Sequence, residues 1–110
     1  MTIEQTIQKA MEGGWKHPSY LEFEQYDEKR EEVMFWGDGT QTDRISIYKI
    51  LLDSLFWQAL GKAMNWNGTT YFQMKHNIRD IFPDWKAYWI LFILDLSDGK
   101  SPEQFFEKIN

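Results

Sequence analysis

Residues 85–96 read WKAYWILFILDL, and Lys86 and Asp95 are the only charges among them. A helix that is apolar nearly all round has no side to give to water, so other elements must cover it on several sides. Pro83 and Asp84 open this segment, and Asp98 with Gly99 close it. The chain must therefore supply amphipathic partners, and residues 52–66, LDSLFWQALGKAMNW, are the clearest one. Asp53 or Ser54 can cap that helix. Phe56, Leu60 and Ala63 then recur at helical spacing, flanked by Trp57, Ala59 and Met64. Gly61 inside it costs about 1 kcal/mol relative to Ala, which a close helix crossing would explain.

The remaining segments extend this pattern. Residues 2–12 carry Ile3, Ile7, Ala10 and Met11 on one helical face. Thr2 with Gln5 forms a capping box, and Gly13 and Gly14 can end the helix in a left-handed C-cap. In residues 15–36, Leu21 and Phe23 alternate with Glu22 and Glu24, and Val33 to Trp36 are β-formers. With polar Asp27 to Arg30 between them, this reads as a β-hairpin. A single charged helix over residues 22–34 is the competing reading, because Glu, Gln, Lys and Arg favour helix. Gly37-Asp38-Gly39-Thr40 is a loop, and residues 37–43 are the one hinge the sequence offers. Thr42 or Asp43 can cap a helix through Leu52, although Ile45 and Ile47 also fit a strand. Residues 69–74, TTYFQM, read as a short strand or as a loop. Ser101, Pro102 and Gln104 start a last helix, docked by Phe105, Phe106 and Ile109.

The fold expected is α+β and predominantly helical: one domain over residues 1–110, with four to five helices and a β-hairpin or meander near residues 20–36. All-α is the alternative. At this length folding buries about two thirds of the chain's surface, so neither disulfide nor metal is required. Eight Phe, six Trp and five Tyr exceed what so small a core easily hides, so some rings are expected at the surface.

Composition removes several classes of function. There is no cysteine, which excludes thiol catalysis and thiolate zinc sites. A net charge of −5 argues against direct nucleic-acid binding. The longest apolar run, residues 87–94, is far short of the ~20 residues needed to cross a bilayer. The first residues lack the basic flank and apolar stretch of a secretory signal. A cytoplasmic setting is therefore expected. His76 and Asp80 stand four apart, enough for two metal ligands but better read as a surface pair. No Ser sits in a nucleophile elbow, and Gly37 to Thr40 lack the Lys-Ser/Thr of a phosphate loop. No catalytic, metal or cofactor residues are assigned.

Two features point to macromolecular recognition. Glu22, Glu24, Asp27, Glu28, Glu31 and Glu32 form an acidic run, interrupted by Lys29 and Arg30. It is an ordinary solvated face, or a surface for a basic partner. Trp15, Tyr20, Trp36 and Trp66 lie outside the periodic stripes, near loops. They are either lids on the core or interface rings. The candidate partner-binding set is Trp15, Tyr20, Glu28, Glu31, Glu32, Trp36 and Trp66.

The order of these pieces resembles a group of small proteins encoded by phages, prophages and metagenomic sequences. The carrying residues are Thr2 to Gln5 with Glu12 to Trp15, Leu52 to Ala63, and Asp98 to Ser101 with Phe105 and Phe106. Ser54 stands where that group has proline after the aspartate, and the segment before the last long helix also differs. The resemblance implies a mobile-element setting and a host bacterial cytoplasm, and it transfers no activity. These features together suggest a non-enzymatic accessory protein binding a host or phage macromolecule, most plainly a protein. An acidic inhibitor mimicking nucleic acid and a small acid/base enzyme are the alternatives. A homodimer through surplus apolar surface is compatible with each.

Overall fold

The computed structural model describes residues 2–37, 39, 41–65 and 78–109. Helix α1, Ile3–Glu12, begins with the expected capping box: Gln5 N donates to Thr2 Oγ1 and Thr2 N to Gln5 Oε1. Ile7 and Ala10 are fully buried. The helix ends on a paired-bond cap, in which Trp15 N donates to the Ala10 carbonyl and Gly14 N to that of Met11. Only Gly14 takes the left-handed backbone this needs, at φ +109°; Gly13 is right-handed. Gly13 serves another end. A Cβ there would stand 1.8 Å from the Ala59 carbonyl oxygen, so the missing side chain lets α1 press on the helix containing Ala59.

The chain then forms an antiparallel sheet of β1 (Glu22–Asp27), β2 (Glu32–Gly37) and β3 (Gln41–Ser46), in that order. The hairpin reading of residues 20–36 holds, and the single-helix alternative does not. Asp27 Oδ1 accepts from the backbone of Lys29 and Arg30, and Glu31 turns the chain back at φ +55°. The helix expected from Thr42 or Asp43 is corrected. Residues 41–46 pair with β2 from Gly37↔Gln41 to Glu32↔Ser46, so residues 41–43 of the expected hinge belong to a strand. Local capping preference lost to pairing, which places Ile45 beside Val33 on the inner face. Ser46 caps α2 (Ile47–Leu51) instead.

Helix α3 (Ser54–Ala63) starts at Asp53, whose Oδ1 accepts from Leu55 N. It packs chiefly on α1. Helix α4 (Trp85–Ser97) meets α1, α2 and the closing helix α5 (Pro102–Ile109), while Leu91 stays 46% exposed. Buried Asp95 ties α4 to the C-terminal segment through Lys100 at 3.5 Å and Lys108 at 3.3 Å. The expected capping box at Ser101 and Gln104 forms. Residues 69–74, His76 and the side chains of Phe106 and Ile109 lie outside the described residues.

The core is a run of rings. Phe105, Phe92, Trp57, Phe56, Trp15, Phe35 and Phe23 follow one another at centroid separations of 5.0, 5.3, 5.6, 5.4, 5.9 and 6.4 Å. This run carries the core from α5 through α3 to β1. Trp57 also donates its indole N–H to the Leu51 carbonyl at 2.8 Å, satisfying an otherwise orphaned group at the end of α2.

Candidate functional site

Among residues whose burial is described, the exposed aromatic rings are Tyr20 (78%) and Trp36 (44%). Trp15 is corrected from the exposed set. It is 6% exposed, edge-on to Phe35 and Phe56, and its indole N–H donates to Asp53 Oδ2 at 3.0 Å. Trp66 lies outside the described residues.

The ladder register sorts the sheet into two faces. Phe23, Tyr26, Val33, Phe35, Asp43 and Ile45 share the inner one. The outer face carries the rows Glu22–Trp36–Thr42, Gln25–Met34–Arg44 and Asp27–Glu32–Ser46. Trp36 stands at the end of β2 beside Glu22. Tyr20 is two residues before Glu22, so strand spacing puts its backbone within about 12 Å of that of Trp36. Leu21 reinforces this closeness: a Cβ on Gly37 would meet its Cδ2 at 2.5 Å. Tyr20 sits in the left-handed region at φ +59°, rare for a bulky residue. The turn closed by Tyr20 N donating to His17 O at 2.8 Å holds it there.

Glu28, Glu31 and Glu32 gather at the β1–β2 turn, the other end of the hairpin. Glu32 and Trp36 share a face but are about 13 Å apart by strand rise. Arg44 and Arg30 approach Asp27 at 4.0 Å among these acids, so the acidic run is not one uninterrupted surface. Glu31 also has structural work. Its carbonyl accepts from Ile47 N at 2.9 Å, and its carboxylate favours the protonated form of the nearby Tyr48 phenol. Burial first, and then Glu31, push the Tyr48 phenol up to about 12 from 10.0. The folded chain thus holds this proton more tightly than the unfolded chain. The stability involved is complete below pH 10 and is lost as pH rises towards 12. Tyr48→Phe is expected to flatten the alkaline loss of stability, read as urea midpoints across roughly pH 9 to 12. Parallel profiles for the two proteins would contradict this.

A cleft of about 780 Å³ opens on the side of Tyr20. Residues 13–20 make one wall and the Leu55, Gln58, Ala59 and Lys62 side of α3 the other, with Ile45, Lys49 and Ile50 between them. His17 borders it, buried, and both ring nitrogens are engaged: Nδ1 accepts from Ser19 N at 3.0 Å, and Nε2 donates to Asp43 Oδ2 at 2.7 Å. An imidazole so held has no free lone pair for a general base. Sequence reasoning missed the cleft and this pair, because Asp43 looked like a helix cap and lies far from His17 along the chain. Among the described residues no group of three or more acids and histidines is placed to hold a metal ion, and no helix is long and apolar enough to cross a membrane.

No family model, curated protein or solved structure matches the chain.

Proposed function

We propose that this chain is a non-enzymatic accessory protein of a mobile element, acting in the host cytoplasm. It binds a protein through the end of the sheet that carries Trp36 and Tyr20. The observation that carries the reading is the exposure of these two rings, on backbone positions at the same end of the sheet, in a fold that at least half buries its other described aromatics. Trp and Tyr are enriched among residues that dominate binding energy, because a rigid ring buries much area at little entropic cost. The strained backbone at Tyr20 supports it too, since such strain clusters at ligand clamps. Glu22 beside Trp36 favours a partner with a basic group next to an apolar pocket.

The arginines within the acidic run favour this reading over nucleic-acid mimicry. The engaged nitrogens of His17 favour it over acid–base catalysis. Trp36→Ala is expected to weaken the partner by about 2 kcal/mol or more, roughly 30-fold, with unfolding changed by under about 1 kcal/mol. The check is affinity capture from the native host, followed by titration of the captured protein against both forms. Glu28→Lys, at the far turn, is expected to leave affinity within about threefold. Equal affinity for folded Trp36→Ala would refute the proposal.

A further inference from the structure

The cleft behind Tyr20 inverts the charge of the molecule around it. Its lining holds Lys16, Lys49 and Lys62 against Asp53 alone, a local charge of +2 on a chain of net charge −5. Asp53 offsets only one of the three positive charges, and its two oxygens accept from Trp15 Nε1 at 3.0 Å and Leu55 N at 2.9 Å rather than from a lysine. Among the described residues no carboxylate lies within ion-pair distance of any of the three lysines. Lys16 instead lies over the Tyr20 ring, 5.6 Å from its centroid. Between the lysines the surface is apolar, formed by Ile45, Ile50, Leu55 and Ala59, and Leu55 is 62% exposed there. The volume falls within the range of about 300–1,000 Å³ typical of small-molecule sites.

We propose that this cleft binds a small organic anion with an apolar body. Its carboxylate or phosphate head meets Lys49 and Lys62, and its body lies on Leu55 and Ala59 beneath Tyr20. Lysine is a strong point charge for either head group. The exposed ammonium groups stand beside apolar surface that an attached body can cover.

The test is a titration of the full-length, isotope-labelled protein, followed by backbone amide shifts. Phenylbutanoate and phenyl phosphate supply the two head groups, phenylbutanol supplies the body without charge, and acetate the charge without a body. Saturable shifts are expected at Tyr20, Leu55, Ala59 and Lys62 with either aromatic anion, the tighter one identifying the head group. Phenylbutanol and acetate are each expected to bind about tenfold or more weakly. The double variant Lys49→Gln/Lys62→Gln is expected to lose about tenfold in anion affinity, its fold being read from the same spectra. Should that variant misfold, added salt on the wild-type chain replaces it and must weaken the anions but not the alcohol. Overturning results are no saturable shift, equal binding of the alcohol, or shifts confined to another face. Hexaglutamate binding more tightly than both aromatic anions would also overturn it, pointing to an acidic protein segment.

Discussion

Trp57→Ala is expected to lower the unfolding free energy by about 3–5 kcal/mol, a large share of the roughly 5–15 kcal/mol that holds a domain of this kind together. Two losses combine. The indole is fully buried, stacked on Phe92 at 5.3 Å and set against Phe56 at 5.6 Å, so its removal opens a cavity midway along the run of rings. It also strands the Leu51 carbonyl at the end of α2. Trp57→Phe separates these terms, restoring most of the volume but not the hydrogen bond. It is expected to recover part of the loss and remain about 1–3 kcal/mol below the native chain. Urea unfolding followed by far-ultraviolet dichroism measures all three proteins. A cost under about 1 kcal/mol for Trp57→Ala would show that the core does not depend on this ring.

Gly13→Ala is expected to cost about 3 kcal/mol, the upper end of the range for overpacking. The added Cβ would lie 1.8 Å from the Ala59 carbonyl oxygen and 2.7 Å from its carbon, and both are backbone atoms that no rotamer change can move. Relief requires α1 and α3 to separate, which loosens their shared contact. Gly14→Ala is the control. Nothing lies within 4 Å of its Cβ position, so its cost comes only from φ +109°. That conformational cost is about 1–3 kcal/mol. If Gly13→Ala unfolds at the same urea concentration as the native chain, the close helix crossing is wrong.

These predictions rest on features the sequence exposes to different degrees. Helix starts are legible because their signals are local: Thr2 with Gln5, Asp53, and Ser101 with Gln104 each cap within a single turn. The apolar character of residues 85–96 similarly requires cover, and three helices supply it. Strand β3 is legible only as an alternative, through the spacing of Ile45 and Ile47. Thr42 and Asp43 look like helix caps, and the pairing that overrides them is made with β2, beyond the reach of local propensity. Trp15 misleads because a loop position suggests exposure, whereas its indole turns inward to Asp53, 38 residues later. Gly61 lies buried inside α3, and the close approach of α1 to α3 is made at Gly13, which the sequence offers only as a helix end. Of the candidate site, Tyr20 and Trp36 are visible as rings outside the periodic stripes. Their proximity is not, because it depends on the register that sets Glu22 beside Trp36. The acids of the β1–β2 turn group with them only by closeness in sequence, and a hairpin sends its turn and its open end in opposite directions.

The central claim is that the Trp36 end of the sheet meets a protein. Site-specific photo-cross-linking tests it most directly. A photoreactive phenylalanine analogue replaces Trp36 in one protein and the exposed Glu107 of α5 in another, and both are irradiated inside the native host. One dominant protein adduct is predicted from position 36, competed away by the native chain and absent from position 107. No adduct from position 36, or the same adducts from both positions, would contradict the claim.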